Sequence, residues 1–371
     1  MSSVEILSPE LVRLALVIGM VLSVYLYEKS HLTTGSIVVP GFLGIHIFEP
    51  WVILVCVVNS VISFGIVHRV VPKFFFMTTR GKFHLLIVTS VAIQFGLQSI
   101  SELRSPVAIA GHAMAGLGCV FPGLIAHDMA RNGVRKTALN SLLIASLVGT
   151  IVFLCVWFRP QHTLISRPYV EPIRFNIVFL MVLSTVGSVL LKLKTGLRCG
   201  YVASAYLVLF APTPQLLLLI LVVAFTTHLL VCGVLIERMI VFGRRKFALM
   251  LIVGALFMWS AIHLAHELEV ALPYADQSAF AGILILLPGL IANEIQRTNH
   301  LNVAIGLGIV GCWTYSLSGL IGEVNSFSRP QYILPFLGMG CLSLFAFLYL
   351  MKNVTRSPLI FSPLFNQGVS R

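Results

Sequence analysis

Two polar clusters of similar sequence combine residue types that could do chemistry. Each cluster follows the phrase Pro-Gly-Leu-Ile-Ala, and the members are His127, Asp128 and Arg131 in the first and Asn293, Glu294 and Arg297 in the second. In both, the acid precedes the base by three residues, which places the two side chains on one face of a helix. At an exposed helix end such a pair contributes only about 0.2–0.5 kcal/mol. If the pair lines a cavity within a membrane, it is instead a candidate functional site.

A basic run, Arg244-Arg245-Lys246, is the next feature with a chemical interpretation. The planar guanidinium group of arginine donates paired hydrogen bonds to a carboxylate, so the run could engage an anionic chain that carries free carboxylates. Two other interpretations explain the same residues. One is positive charge that sets the orientation of neighbouring spans, and the other is contact with anionic lipid headgroups.

Three Pro-Gly pairs lie within or beside apolar runs, and they are Pro40-Gly41, Pro122-Gly123 and Pro288-Gly289. Proline removes a backbone donor, so a pair inside a helix predicts a break whose polar backbone groups need partners. Broken helices of this kind build substrate sites in transporters. The alternative is a simple kink or a close approach of two helices.

Known catalytic signatures do not occur in the sequence. There is no Walker A loop, no G-x-S-x-G nucleophile motif and no H-E-x-x-H zinc motif. His263, His266 and Glu267 share a helix face, but no fourth metal ligand is evident. We therefore expect no catalytic residue, no metal and no cofactor in this chain.

The elements that must position these residues are membrane helices. Of 371 residues, 58% are hydrophobic and 10% are charged, with a mean hydropathy of +0.97, whereas soluble domains carry about 25% charged residues. The net charge of +12 fits the accumulation of Lys and Arg in cytoplasmic loops, so we expect no nucleic-acid partner. The expected location is the cytoplasmic membrane, and the expected fold is an all-α polytopic membrane protein.

Loop charge decides how many times the chain crosses. Two short apolar runs, 36–48 and 199–211, can either cross the membrane or dip into it and return. If both cross, most basic loops face one side and most acidic residues the other, as the positive-inside rule requires. We therefore expect about 13 crossings, two of them short, with the N-terminus outside and the C-terminus inside.

The chain repeats itself. Lys82-Phe83 recurs as Lys246-Phe247, and Pro122-Gly123 recurs as Pro288-Gly289 at nearly the same offset along the chain. Each copy contains six expected crossings, an even number, so the copies should have the same orientation in a parallel repeat. The expected divisions are a first repeat at 1–160, a connecting loop at 161–174, a second repeat at 175–325, and a further helix with a cytosolic tail at 326–371.

Three motifs resemble one known family. EKSHLTTGSIVVPGFLG begins at Glu28, GRRKFALMLIVG begins at Gly243 and LPGLIANEIQR begins at Leu287. They resemble the membrane subunit of poly-γ-glutamate capsule synthases, CapC or PgsC, which is usually one copy long. The resemblance covers roughly 11–158 and 175–321 and implies a tandem fusion with an added span at 331–350.

The two copies have diverged at the motifs that carry the resemblance. Pro40-Gly41 of the first copy corresponds to Ala205-Tyr206 in the second, and Glu28 falls opposite an apolar or basic position near Leu193. The second copy in turn keeps the basic run at Arg244. Each copy therefore retains a different part of the family pattern, and the two are expected to be complementary.

The resemblance implies a non-catalytic subunit of a poly-γ-glutamate synthase and exporter. An ATP-dependent amide ligase similar to CapB or PgsB would bind ATP and Mg²⁺, and a component similar to CapA or PgsA would complete the complex. The residues named above, Glu28 included, would contact the anionic polymer or these partners, within one chain or between chains of an oligomer. A secondary transporter of a small anion is the alternative, and a scaffold that only recruits partners is a third.

Overall fold

The computed structural model describes residues 8–30, 34–47, 49–74, 79–99, 116–157, 176–197, 200, 202–210, 213–238, 243–270, 272, 274–275 and 278–320. Within these ranges every regular element is a helix, and the prediction of an all-α fold is confirmed. The predicted connecting loop at 161–174 and the predicted span at 331–350 lie outside the described residues.

The first half of the described chain contains six helices. They are α1 (Pro9–Ser30), α2 (Val39–Ile45), α3 (Pro50–Gly65, continued by a π-helical turn at Ile66–Val70 and a 3-10 turn at Val71–Lys73), α4 (Thr79–Ser99), α5 (Phe121–Asn132) and α6 (Val134–Trp157). Proline in the first turn starts α3 and α5, where its missing N–H has no helical partner to lose. Gly133, with φ of 87°, ends α5 because glycine adopts a positive φ without strain.

The second half repeats this order. Its helices are α7 (Asn176–Thr195), α8 (Ala203–Phe210), α9 (Pro214–Leu229, continued by a π-helical stretch at Leu230–Leu235 and a turn at Ile236–Arg238), α10 (Arg244–Glu267), α11 (Ser278–Arg297) and α12 (His300–Leu320). Pro214 starts α9 as Pro50 starts α3, and His300 starts α12 where Val134 starts α6. The offsets between these helix starts match the offsets between the repeated motifs.

Six helices in the described part of the chain, α1, α3, α6, α9, α10 and α11, contain segments long and apolar enough to cross a bilayer. Shorter apolar segments lie in α4 at Gly81–Leu97 and in α7 at Phe179–Lys192. The helices α2 and α8 have 7 and 8 residues, which makes them about 10 and 12 Å long against a hydrocarbon core of about 30 Å. Within the described residues, these helices are therefore too short to cross the hydrocarbon core by themselves.

Equivalent helices pack together in each half. α1 contacts α2 as α7 contacts α8, α3 contacts α5 as α9 contacts α11, and α2 contacts α6 as α8 contacts α12. Between the halves, α4 packs on α7, and α1 packs on α10 and α11. Both main apolar clusters contain residues of both halves, so the core continues across their boundary.

The Pro-Gly pairs mark close helix crossings. Pro40 and Pro122 lie in the first turns of α2 and α5, but Pro288 lies inside α11, which is continuous. The prediction of a helix break at Pro288 is therefore wrong. A Cβ on Gly289 would lie 2.7 Å from Leu251 Cα. A Cβ on Gly41 or on Gly123 would likewise lie 2.9 Å from a Cα atom of the neighbouring helix. These pairs let helix backbones approach closely, as small residues do in membrane bundles.

Gly289→Ala is expected to lower the thermal stability of the detergent-purified protein. The new methyl group would also lie 2.6 Å from the carbonyl oxygen of Met250, and overpacking of this kind costs about 1–3 kcal/mol. Gly308→Ala is the matched control, because nothing lies within 4 Å of a Cβ at that position in α12. An equal response of the two variants in a melting experiment would contradict the close crossing.

Candidate functional site

Helices α1 and α10 contact each other near both ends of the pair and so connect the two halves, and we call this contact the first joint. At the end of α1, Glu28 forms an ion pair with Arg245 at the start of α10. At the start of α1, Glu10 accepts a hydrogen bond of 2.6 Å from Trp259 Nε1, near the end of α10. Because the beginning of each helix meets the end of the other, the two helices are antiparallel.

Helices α4 and α7 make the corresponding joint. His84, in the second turn of α4, has its Nε2 atom 2.7 Å from Nζ of Lys192, near the end of α7. At the other end of the pair, the rings of Phe95 and Phe179 lie 6.2 Å apart. This pair is also antiparallel, so each half contributes one helix to each joint.

Two further residues of α5 lie between the two joints at one end of the bundle. Arg244 Nη2 lies 3.7 Å from Asp128 Oδ2 near the end of α5, and the ring of the adjacent His127 lies 4.8 Å from the ring of Phe83, which precedes His84. We call this set the polar band, and its members are Glu28, His84, His127, Asp128, Lys192, Arg244 and Arg245.

Asp128 is the most enclosed acid of the polar band. It is 6% exposed, and its carboxylate faces Arg244 and the backbone N–H of Gly35. The guanidinium group of Arg244 also lies over the ring of Tyr27, 4.8 Å from its centroid. Gly35 has φ of +76°, and a Cβ there would lie 2.9 Å from Ile125 Cγ1. The positive φ and the close Ile125 side chain together favour glycine at this position.

The charge on Asp128 opposes folding. Burial raises the pKa of this carboxyl group, and Arg244, His127, Arg131 and the Gly35 amide offset that effect only in part. Burial also lowers the pKa of His127, although Asp128 opposes the shift. Ionisable groups that reduce stability in this way cluster at functional sites, because packing alone does not select them.

Asp128→Asn is expected to melt at a higher temperature than the unaltered protein at pH 8. The raised pKa means that the cost of the charge is fully present above that pKa and disappears as the pH falls towards 3.8, the ordinary value. The difference in melting temperature should therefore shrink between pH 8 and pH 4. Glu267→Gln, at an exposed carboxylate, is the control. A lower melting temperature for Asp128→Asn at pH 8 would show that the Arg244 pair outweighs burial.

The Glu28–Arg245 pair is open to water. The side chain of Arg245 is 53% exposed and that of Glu28 is 32% exposed, whereas the side chains of Asp128 and Arg244 are 9% and 22% exposed. Exposed ion pairs contribute only about 0–1 kcal/mol. The polar band thus contains one enclosed pair that holds its arginine in place and one exposed pair that another carboxylate could replace.

Comparison with known proteins identifies the two halves. The family model for capsule biosynthesis CapC matches residues 18–138 and again residues 183–304, together more than half of the chain. The chain belongs to the CapC family. The two matches make it a tandem of CapC copies, in agreement with the predicted family and with the repeated helices.

Two single-copy relatives illustrate the likeness. The chain is 29% identical to the PGA biosynthesis protein CapC of Bacillus subtilis (strain 168) over 140 residues, which cover 38% of this chain and 92% of that protein. It is 27% identical to the capsule biosynthesis protein CapC of Bacillus anthracis over 139 residues, which cover 38% of this chain and 91% of that protein. No solved structure matches the chain.

Five of the residues singled out in the sequence meet in the polar band, and they are Glu28, His127, Asp128, Arg244 and Arg245. The two acids come from the first CapC copy and the two arginines from the second, so the copies are complementary at this site. Both arginines are already paired with carboxylates of the same chain. Lys246 lies beside them in the first turn of α10 and is half-buried.

The remaining predicted residues lie elsewhere. Asn293 is buried, and Glu294 pairs with Arg297 at 4.0 Å within α11. In the first cluster, by contrast, Asp128 pairs with the other half and Arg131 is exposed. The six residues of the Pro-Gly pairs lie at helix crossings. Sequence reasoning missed His84, Lys192, Tyr27 and Gly35. The repeat spacing could have found Lys192, because the offset between Lys82 and Lys246 also separates Glu28 from Lys192.

Proposed function

We propose that this chain is the non-catalytic membrane subunit of a complex that synthesises and exports poly-γ-glutamate. The observation that carries the proposal is the match of both halves to CapC, together with a polar band that each half helps to build. One relative is named for PGA biosynthesis and another for capsule biosynthesis. A polymer with one free carboxylate per unit is the ligand chemistry that paired arginines would recognise.

The proposed topology places the polar band at the cytosolic face. The polar band supports a parallel arrangement, because the ends of α1 and α7 and the starts of α4 and α10 all contribute residues to it. About 13 crossings, with the N-terminus outside, would then keep the basic loops inside. Arg131, an exposed base near the same end, would be available to the ligase.

In the proposed mechanism, Arg245 exchanges partners. The exposed pair with Glu28 contributes little, so a polymer carboxylate can take the place of Glu28 at almost no net cost. Asp128 meanwhile keeps Arg244 oriented beside the same position. Amide-bond formation requires an activated carboxyl group, which the ATP-dependent ligase would supply with its own ATP and Mg²⁺. A CapA-like component would act beyond the membrane.

The test uses membranes that contain this chain and its ligase, supplied with labelled glutamate and ATP. Long polymer should form with the unaltered chain and should not form with the double variant Arg244→Ala and Arg245→Ala. The matched control is Arg135→Ala with Lys136→Ala, which removes two adjacent exposed charges outside the polar band. Size-exclusion chromatography would check that both variants fold. Undiminished synthesis by the first variant would remove the arginines from the mechanism.

A transporter of a small anion is the second candidate. Asp128 favours it, because a buried carboxyl group with a raised pKa can carry a coupled proton, and repeated halves can alternate access to a central site. Proteoliposomes that contain the purified chain alone distinguish the two functions. Uptake of labelled glutamate driven by a proton gradient would support the transporter and reject the polymer function.

A further inference from the structure

Three helices of the first half meet next to the polar band, where α3 and α5 approach their ends and α4 begins. Val67 of α3's continuation, Leu86 of α4 and Ala126 of α5 form a small buried apolar cluster at this junction. Because α4 runs in the opposite direction to α3 and α5, residues that follow the cluster on those two helices lie level with residues that precede it on α4. The junction thus brings side chains of three helices to one point.

The side chains at this point are basic, and we call them the basic triad: His68, Lys82 and His127. The His68 ring is stacked on Phe64, with ring centroids 4.7 Å apart, and the His127 ring lies 4.8 Å from the ring of Phe83. The charge of Lys82 acts on His68, and His68 acts on His127. All three side chains are half-buried, so a ligand at the surface can reach them.

The basic triad is not balanced by acids in the described part of the chain. Neither Lys82 nor the exposed Arg69, which follows His68, pairs with a carboxylate there. Asp128 is the one described acid that acts on His127, and it already faces Arg244. Groups of like charge that converge in this way destabilise the compact state unless an anion lies between them.

Helix α3 connects the basic triad to the lipid-facing surface. The segment Pro50–Lys73 is long and apolar enough to cross a bilayer, and Val58, Ile62 and Val70 are exposed apolar side chains on it. In a membrane these side chains contact acyl chains, and the basic end of the segment lies at the level of the headgroups. Basic pockets between helices at this level bind anionic headgroups.

We propose that the basic triad binds the headgroup phosphate of an anionic phospholipid whose acyl chains lie along α3. Lys82 would pair with the phosphate, and each imidazole would donate one N–H to a phosphate oxygen, which a neutral ring can also do. The equivalent positions of the second half are Cys232, Lys246 and Asn293. Only the lysine recurs, so one such site per chain is expected. The inference is independent of the proposed function, because the ligand is a lipid and not the polymer.

Native mass spectrometry of the full chain, released from nanodiscs of equal phosphatidylglycerol and phosphatidylcholine content, would count the retained lipids. The unaltered chain should retain phosphatidylglycerol preferentially. Lys82→Gln should lower that retention about fivefold, the effect of one basic residue at an anionic surface, and Lys82→Arg should keep it. Arg238→Gln, at an exposed arginine where the continued α9 ends in the second half, is the matched control.

His68→Leu tests the same site if Lys82→Gln does not fold, and it should also lower the retention of phosphatidylglycerol. Equal retention of the two lipids by the unaltered chain would overturn the inference, as would equal losses from Lys82→Gln and Arg238→Gln. Displacement of the lipid by inorganic phosphate would assign the basic triad to free phosphate instead. Displacement by a γ-linked glutamate decamer would assign it to the polymer and likewise reject the lipid site.

Discussion

Arg245→Gln is expected to lower polymer output about tenfold, as expected when a charge-assisted hydrogen bond is lost, whereas Glu28→Gln is expected to maintain or increase it. In the proposed mechanism Arg245 holds the polymer carboxylate, and Glu28 competes for the same guanidinium group. Removal of the competitor leaves Arg245 available, and removal of the arginine leaves no receptor. The two substitutions therefore have opposite effects although they break the same ion pair.

These opposite effects distinguish an arginine that binds the polymer from an ion pair that only holds two helices together. If the pair only held α1 against α10, either substitution would remove the same interaction and both would reduce output equally. The measurement is the initial rate of polymer formation at saturating ATP, normalised to the amount of folded chain in the membrane. Lys29→Gln serves as the control for an exposed charge at the same end of the bundle. Equal losses from both variants would favour a purely structural ion pair and reject the replacement of Glu28 by a polymer carboxylate.

The repeat was readable from the sequence because it depends on local rules. Proline at position 50 and again at 214 starts equivalent helices, and glycine at 133 ends one. The spacing between such signals survives divergence of the residues between them. Family membership followed from the same motifs, and both halves match the family.

The pairing of Asp128 with Arg244 could not be predicted in the same way. The local pattern favours Arg131, three residues away, but Asp128 forms its ion pair with a residue of the other half. That choice depends on how α5 packs beside α10, which no local spacing encodes. The structure at Pro288 could not be predicted for the same reason. The helix continues through this proline, and the adjacent glycine allows a close approach of α10.

The opposite end of α1 contains a charge that is more deeply buried than any acid in the polar band. Arg13 is 1% exposed, forms an ion pair with Glu10 and donates a hydrogen bond of 2.6 Å to the carbonyl oxygen of Ala275 in the second half. Glu10 in turn accepts from Trp259, so one network ties α1 to two segments of the other half. This network and the polar band fix the same pair of helices at opposite ends.

Arg13→Ala is therefore expected to produce the largest loss of stability. A hydrogen bond from a charged group contributes about 1.5–3 kcal/mol, and this substitution removes the donor of both Glu10 and the buried Ala275 carbonyl oxygen. Glu10→Gln should cost less, because Glu10 is 34% exposed and an amide oxygen can still accept from Trp259.

Denaturant titration of the purified protein, followed by tryptophan fluorescence, would measure both effects. Trp259, one of four tryptophans in the chain, lies in the network and contributes to this signal. Arg135→Ala, at an exposed arginine of α6, is the control for loss of an arginine as such. If Arg13→Ala unfolds at the same denaturant concentration as that control, the buried network does not help to hold the halves together.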